Sequence, residues 1–307
     1  MNGFGAETTT NDVLAGVDLS GRTALVTGAT SGLGSETSRA LAAAGATVVL
    51  AARDGEAALT VADRIREEIP HAVLSSISLD LADLSSIRTA VEGLGAQPID
   101  LLINNAGVMY TPFAQTVDGF ELHFGTNHLG HFLLTTELLS NLRRAAERSG
   151  AVSRVVTVSS DAHRAHAVDL VDPNFVERPY DKFVAYAQSK SANALMTTEL
   201  RNRYEGSGIA AFSVHPGVCA TGLSRHMSRE DFAEMKRMSA GKPGLLTNLK
   251  SIPAAAATAV WAATARELVS ANGAYLADCG IDRAADHAAD PVAAAALWEL
   301  SEQLIGS

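Results

Sequence analysis

Short apolar runs alternate with stretches of helical character along almost all of this 307-residue chain. The runs that we predict as strands are 23–27, 47–52, 72–79, 99–103, 154–158, 210–214 and 273–277. Helical stretches lie between them, the longest at 119–148, and the connections are short. Strands and helices that alternate in this way form a mostly parallel sheet with helices on both faces. The sequence therefore predicts an α/β chain with a doubly wound sheet.

The domain boundaries follow from the same pattern. Residues 1–18 are rich in Thr, Asn, Gly and Asp and have no sustained apolar period, so we expect a flexible N-terminal arm. No internal repeat or low-complexity linker divides 19–307, which we predict as a single domain.

Composition excludes several classes of function. A net charge of −10 is unsuited to binding a phosphate backbone, so no nucleic-acid partner is expected. The chain has no apolar run of membrane-spanning length and no basic segment followed by an apolar one at its N-terminus, so we expect a cytoplasmic protein without a membrane partner. Its two cysteines, Cys219 and Cys279, do not form a disulfide framework or a zinc motif, and no metal site is predicted.

A glycine-rich loop follows the first predicted strand and opens a helix. Its glycines are spaced differently from G-x-G-x-x-G, but they allow the same tight turn and the same close approach of a pyrophosphate to a helix N-terminus. We therefore predict a dinucleotide cofactor, held by a loop that consists of Gly28, Thr30, Ser31, Gly32, Leu33 and Gly34 together with the intervening alanine.

The end of the second strand indicates which dinucleotide binds. An acidic residue there would hold the adenosine ribose diol and repel a 2′-phosphate, but this chain has Ala52 followed by Arg53. Arginine makes paired hydrogen bonds to phosphate, which favours NADP. Because Asp54 follows and Arg53 could instead be a solvated charge, NAD stays possible.

Tyr186 and Lys190 are four residues apart in a predicted helix, so their side chains lie on one face. A phenol must lose ~3 pKa units to act as an acid and base near neutrality, which requires about 4 kcal/mol. One positive charge at ~4 Å, in an effective dielectric of ~20, supplies about that much. The alternative is a tyrosine of an ordinary amphipathic helix beside a solvated lysine.

Several polar or glycine residues come directly after predicted strands. Gly28, Asn105, Ser160 and Pro216 occupy such positions. Ligands of doubly wound sheets bind beyond the carboxyl ends of the strands, so we expect these residues to converge at one edge.

Five motifs occur together in order: T-G-A-T-S-G-L-G at 27–34, N-N-A-G at 104–107, Asn127, Ser160 and Y-A-Q-S-K at 186–190. With them, the chain resembles the short-chain dehydrogenases/reductases from about residue 20 to 280, which implies a Rossmann fold. The long segment between Ser160 and Tyr186 is similar to that of the retinol dehydrogenase and WW-domain oxidoreductase-like branch, and of protochlorophyllide reductases. This insert, near 161–180, should border the substrate.

The resemblance implies four catalytic residues. Tyr186 would be the general acid/base, and Lys190 would lower its pKa and hold the nicotinamide ribose. Ser160 would donate a hydrogen bond to the substrate oxygen, although the neighbouring Ser159 could face the site instead. Asn127 would interrupt a helix and order a water beside the lysine, unless it only caps a helix.

The resemblance also implies further cofactor contacts. The adenine would lie against Asp80 and Leu81, the ribose against the loop after the fourth strand, and the nicotinamide carboxamide against the loop after the sixth. In full, these predicted contacts are Asp80, Leu81, Asn105, Ala106, Gly107, Pro216, Gly217, Val218 and Thr221, with Tyr186 and Lys190.

The implied activity is hydride transfer between NADP and a carbonyl or alcohol of a small molecule. A candidate lid at 222–252 carries Leu223, Met227, Phe232, Met235 and Met238, which favours an apolar substrate unless these residues only pack a helix. Two alternatives are a carbon–carbon double-bond reductase and a dinucleotide-sensing interaction protein without turnover. Relatives often pair through their long helices, so a homodimer or homotetramer is expected.

Overall fold

The computed structural model describes residues 3–238 and 249–306 of the chain. These residues contain one eight-stranded sheet. The strands are β1 Thr23–Thr27, β2 Thr47–Ala52, β3 Leu74–Ser78, β4 Leu101–Asn104, β5 Ser153–Val158, β6 Ile209–His215, β7 Tyr275–Ala277 and β8 Gly280–Asp282. Their order is β3-β2-β1-β4-β5-β6-β7-β8, and all neighbours pair parallel except β7 and β8. The prediction of a doubly wound, mostly parallel sheet is confirmed.

The helices cover both faces of the sheet. They are α1 Thr10–Val13, α2 Gly32–Ala43, α3 Gly55–Glu68, α4 Leu84–Leu94, α5 Gly130–Glu137, α6 Leu139–Ser149, α7 Lys182–Tyr204, α8 Arg229–Met238, α9 Ile252–Thr264, α10 Asp286–Ala289 and α11 Pro291–Ile305. A π-helix, Phe124–Leu129, precedes α5, and short 3₁₀ turns lie at Asp161–Arg164, Gly222–His226 and Arg266–Ala271.

The sheet has an apolar core on each face, because successive side chains of a strand point to opposite faces. Val26 of β1 lies in the core on one face of the sheet, whereas its neighbour Leu25 lies in the core on the other. Both faces are covered, so even the short central strand β1 is buried throughout. Each such side chain contributes about 1.5–3 kcal/mol to folding.

The segment before β1, which we expected to be a flexible arm, contains a short helix that contacts the domain. A capping box between Thr9 and Asp12 begins the short helix α1. The Thr10 hydroxyl donates a 2.5 Å hydrogen bond to Glu36 of α2, and Val13 and Leu19 are buried in the core. The described part of this segment is therefore packed on the domain, with too few apolar residues to show a period in the sequence.

The region that we predicted as one helix over 119–148 consists of several elements. An isolated bridge pairs Gln115 with Glu121, the π-helix follows, and α5 and α6 are separated at Leu138. At Leu138 the backbone angles, φ −88° and ψ 2°, depart from the helical values.

Strand β8 is absent from our sequence prediction. It is only three residues long and pairs antiparallel with β7 after a turn in which Asp278 and Cys279 have positive φ angles of 51° and 53°. Positive φ is uncommon for residues other than glycine, so nothing in the local sequence indicated this hairpin.

The insert and the candidate lid are only partly regular. In the insert, the Arg178 guanidinium lies 3.8 Å from the centroid of the Phe175 ring, a cation–π contact. The candidate lid contains the turn Gly222–His226 and α8, which a 2.5 Å ion pair between Asp231 and Lys182 joins to α7. Its residues 239–248 and the Met238 side chain lie outside the described residues, and its action as a lid stays a prediction.

Candidate active site

A cleft of about 660 Å³ opens at the carboxyl ends of the central strands. Most of the predicted cofactor contacts line it, namely Gly28, Thr30, Ser31, Gly32, Leu33, Arg53, Asp80, Leu81, Asn105, Ala106, Gly107 and Thr221. Of the four residues that we expected to converge after strands, Gly28 and Asn105 line this cavity, which is large enough for an extended ligand, whereas Ser160 and Pro216 do not line it.

The glycine loop fits closely against the end of β4. Gly28 has a positive φ of 64°, and a Cβ atom there would lie 2.9 Å from the Ala106 Cα. Gly34 does not line the cleft. A Cβ at Gly34 would lie 2.3 Å from the Gly28 carbonyl oxygen and 2.6 Å from the Asn105 side-chain nitrogen, so this glycine allows α2 to pack against its own loop.

Thr27 fixes the same loop from the end of β1. Its hydroxyl oxygen accepts hydrogen bonds from the backbone N–H groups of Asn105, at 2.9 Å, and Ala106, at 3.0 Å. The Asn105 side chain donates in turn to the Thr27 carbonyl at 2.8 Å. These three bonds hold the N-N-A-G segment in the position where it lines the cleft.

Pro216, Gly217 and Val218 are not among the lining residues. Lys250 covers this loop, because a Cβ at Gly217 would lie 2.8 Å from the Lys250 Cδ, and the Lys250 N–H donates to the Val218 carbonyl at 2.8 Å. Cys219 and Lys250 form an isolated bridge, and the Lys250 ammonium pairs with Asp278 at 2.5 Å. No local pattern in the sequence indicates a role for this lysine.

Tyr186 and Lys190 are buried beside the cleft, with only 5% and 3% of their surfaces exposed. The Lys190 ammonium nitrogen lies 5.7 Å from the centroid of the Tyr186 ring and donates a 2.9 Å hydrogen bond to the Val158 carbonyl at the end of β5. This burial excludes the alternative of an exposed tyrosine with a solvated lysine.

The two candidate serines at the end of β5 point to different partners. The Ser160 side chain interacts with the Tyr186 phenol, whose pKa it lowers, and its hydroxyl oxygen accepts a hydrogen bond from the Ala162 N–H at 3.2 Å. The Ser159 hydroxyl donates instead to the Lys190 backbone carbonyl at 2.8 Å and is buried. Ser160 is thus the serine whose side chain meets the phenol.

Asn127 lies within the π-helix and is not a helix cap. Its side-chain oxygen accepts from the Val108 N–H at 2.8 Å, and its side-chain nitrogen donates to the Val108 carbonyl and to the Ser189 hydroxyl, each at 3.0 Å. A Cβ at Gly107 would lie 2.9 Å from the Asn127 side-chain oxygen and 3.7 Å from the Lys190 ammonium. The asparagine and the lysine therefore meet at the Gly107 backbone.

Burial controls the acid–base properties of the site. It raises the pKa of the Tyr186 phenol, the nearby Tyr110 phenol raises it further, and the hydrogen bond with Ser160 lowers it. Burial also lowers the pKa of Lys190 to about 8. In the protein chain by itself, desolvation thus outweighs the lysine charge, contrary to our estimate that Lys190 alone suffices to lower the pKa of the tyrosine.

Comparison with known proteins identifies the family. The model for short chain dehydrogenases matches residues 22–231. The chain belongs to the short-chain dehydrogenase family. It is 40% identical to human retinol dehydrogenase 13 over 93% of this chain and 85% of that protein, and 38% identical to Brassica napus short-chain dehydrogenase TIC 32 A, chloroplastic, over 100% and 95%.

Solved structures agree with this short-chain dehydrogenase in fold. A Mycobacterium paratuberculosis protein superimposes with a TM-score of 0.77 at 36% identity and covers 98% of each chain. Pseudomonas aeruginosa RhlG, solved as an NADP active-site complex, gives a TM-score of 0.65 at 27% identity over 85% of this chain and 95% of RhlG.

This short-chain dehydrogenase has further site residues that the sequence did not indicate. Tyr110, with a positive φ of 52°, places its ring 5.0 Å from the Tyr186 ring and 4.5 Å from the Phe183 ring. The His123 ring lies 6.1 Å from the Tyr186 ring. Glu121 and His123 form a fully buried pair, with 2.7 Å between the Glu121 carboxylate and the His123 Nδ1. A tyrosine after N-N-A-G is the one signal that could have pointed to an aromatic wall.

A metal-binding cluster and a membrane-spanning helix are both absent from the described residues. Among them, this short-chain dehydrogenase has no group of three or more histidine, cysteine, aspartate or glutamate side chains placed to hold a metal ion. In the same ranges, 3–238 and 249–306, none of the helices combines the length and apolarity needed to cross a bilayer. The cytoplasmic location stays a prediction, and the TIC 32 relatives are chloroplastic by name.

Proposed function

We propose that this short-chain dehydrogenase transfers hydride between NADP and a carbonyl or alcohol carbon of an apolar small molecule. The observation that carries the proposal is that Tyr186, Ser160 and Lys190 lie together, with the Lys190 ammonium close to Gly107, which lines the same cleft as the glycine loop. Tyr186 exchanges the proton with the substrate oxygen, and Ser160 holds that oxygen beside it.

The residues of the cleft fit a dinucleotide. The glycine loop and the start of α2 present backbone N–H groups to a pyrophosphate, and Asp80 and Leu81 form the wall that suits the adenine. A bound dinucleotide would supply or accept the hydride, and its oxidised nicotinamide ring would carry a positive charge. That charge would oppose the rise in the pKa of Tyr186 that burial causes.

Arg53 supports the choice of NADP. It is exposed at the end of β2 and lines the cleft, in a position where its guanidinium can pair with a 2′-phosphate. Relatives of the chain were also crystallised with NADP, among them RhlG and a Burkholderia cenocepacia gluconate 5-dehydrogenase that is 26% identical.

Apolar surface near the reacting groups supports the substrate class. The Tyr110 ring contacts both the Tyr186 ring and the Phe183 ring, and Phe113 and Leu223 line the cleft. Relatives named retinol dehydrogenases act, by name, on an apolar alcohol.

The test is NADPH and NADH consumption with a panel of apolar ketones, aldehydes and enones, and the reverse reaction with the matching alcohols and NADP⁺. We expect carbonyl reduction with NADPH. Products reduced only at a carbon–carbon double bond would favour the first alternative, and tight cofactor binding without any turnover would favour the sensor.

Replacing Arg53 with alanine should weaken NADPH binding roughly tenfold or more and leave NADH binding within about twofold, because only NADPH loses a charge-assisted contact. Fluorescence titration of both cofactors measures this. Arg144→Ala, at an exposed position on α6, is the matched control. Equal weakening of both cofactors would contradict the assignment of Arg53 to the 2′-phosphate.

A further inference from the structure

His131 of α5 is fully buried and joins two parts of the active site that lie on different elements. One ring nitrogen, Nδ1, is 2.9 Å from the backbone carbonyl oxygen of Asn127 in the π-helix. The other, Nε2, is 2.9 Å from the hydroxyl oxygen of Thr27 at the end of β1. The ring thus lies between the catalytic asparagine and the threonine that fixes the cofactor loop.

Counting hydrogen atoms determines the tautomer. The Asn127 carbonyl only accepts, so Nδ1 carries the proton and donates. The Thr27 oxygen already accepts from the N–H groups of Asn105 and Ala106, which occupy both of its lone pairs. Its own hydrogen must therefore be donated. The unprotonated Nε2 at 2.9 Å is the better acceptor, because the Ile103 carbonyl lies 3.4 Å away.

The result is a hydrogen-bond chain with one direction. It runs from the backbone N–H groups of Asn105 and Ala106 to the Thr27 hydroxyl, from that hydroxyl to Nε2 of His131, and from Nδ1–H to the Asn127 carbonyl. A second proton on the ring would break it, because Nε2–H would face an oxygen without a free lone pair. Burial lowers the pKa of His131 to about 4, which keeps the ring neutral near pH 7.

We propose that His131, as the Nδ1–H tautomer, is a positioning residue that sets the cofactor loop through Thr27 and the catalytic asparagine through its backbone carbonyl. Each ring nitrogen serves one of these two tasks. The part that concerns catalysis rests on the function proposed above, whereas the parts that concern cofactor binding and the tautomer do not.

A buried histidine that only packs the core is the alternative, and His128 provides the comparison. It lies in the adjoining π-helix and is equally buried, but its Nε2 is 2.9 Å from the Ser301 hydroxyl of α11, a helix that does not line the cleft. Burial likewise lowers its pKa, to about 3. The same substitutions at His128 therefore report the cost of losing a buried imidazole without changing the chain of bonds.

Two substitutions separate the tasks of the two nitrogens. The amide of asparagine reaches as far as Nδ1, so His131→Asn keeps the donor to Asn127 and loses the acceptor for Thr27. The amide of glutamine reaches as far as Nε2, so His131→Gln keeps the acceptor for Thr27 and loses the donor to Asn127. We measure the NADPH Kd by fluorescence titration, the Tm, and kcat with the best carbonyl of the panel.

We expect His131→Asn to raise the NADPH Kd roughly three- to tenfold with kcat within about twofold, and His131→Gln to lower kcat roughly three- to tenfold with the Kd within about twofold, as for the loss of one buried hydrogen bond. His128→Asn and His128→Gln should change the Tm alone. The proposal is overturned if both His131 variants change Kd and kcat by the same factors, if neither changes them, or if the His128 variants show the same split.

The wild-type protein supplies a test that does not depend on the folding of any variant. ¹⁵N NMR of the histidine rings should show His131 as a neutral Nδ1–H imidazole, and its signals are assigned by their disappearance in either variant or by nuclear Overhauser contacts to Thr27. A His131 ring that is the neutral Nε2–H tautomer, or that is charged at pH 7, overturns the proposal. If the wild type turns over no substrate, the proposed function fails, yet the Kd and the tautomer still decide the role of His131.

Discussion

Tyr186→Phe should lower kcat roughly 10²- to 10⁴-fold and leave NADPH binding within about twofold of the wild type. In the proposed mechanism the Tyr186 phenol exchanges a proton with a substrate oxygen held by Ser160, and the ring without its hydroxyl keeps the packing against Tyr110. Steady-state turnover of the best carbonyl and a fluorescence titration of NADPH measure the two quantities.

The matched control for this variant is Tyr204→Phe, at the end of the same helix and next to Trp298. It should change kcat by less than about twofold. A Tyr186→Phe enzyme that kept more than about a tenth of wild-type turnover would show that the proton comes from elsewhere, and the assignment of Tyr186 would be wrong.

Gly34→Ala should abolish tight NADPH binding and destabilise the fold by at least about 1–3 kcal/mol. The added methyl group would lie 2.3 Å from the Gly28 carbonyl oxygen, and no side chain can rotate away because the obstacle is backbone. The loop and α2 must therefore separate, which also displaces Asn105. Thermal unfolding and NADPH titration measure both effects.

Gly93→Ala in α4 is the control for the glycine substitution. A Cβ there meets nothing within 4 Å, so alanine should stabilise its helix by about 0.5–1 kcal/mol and leave NADPH binding unchanged. If Gly34→Ala behaved like Gly93→Ala, the close packing of the glycine loop on α2 would not be needed for the cofactor site.

The sequence predicted those parts of the fold that depend on local patterns. The apolar run 47–52 predicted β2 with the bounds that the structure has. The helix that carries Tyr186 and Lys190 was also predicted, because helices and strands are indicated by patterns among neighbouring residues. The packing of α1 depends on contacts between residues that are far apart in the sequence, and the β7–β8 hairpin lacks a recognisable turn motif. Neither could be predicted from local sequence patterns.

The candidate site shows the same division. Asn105 and Ser160 were predicted because strand ends of a doubly wound sheet meet at one edge. His131 and Lys250 were missed, since each acts through a backbone group of another element. The raised pKa of Tyr186 was also missed, because a charge at a given spacing can be estimated from the sequence, whereas the loss of solvent around a phenol cannot.

The bridge between Cys219 and Lys250 has a consequence for how substrate range can change. The chain leaves the edge of the sheet at Val218 and is joined to the same point again at Lys250. Because the two ends are already held together, lengthening the segment between them costs only ~0.6 kcal/mol for each doubling of its length. Insertions near residues 221–223, which line the cleft, should therefore change its wall at little cost to the stability of the sheet and of α7, which carries Tyr186 and Lys190.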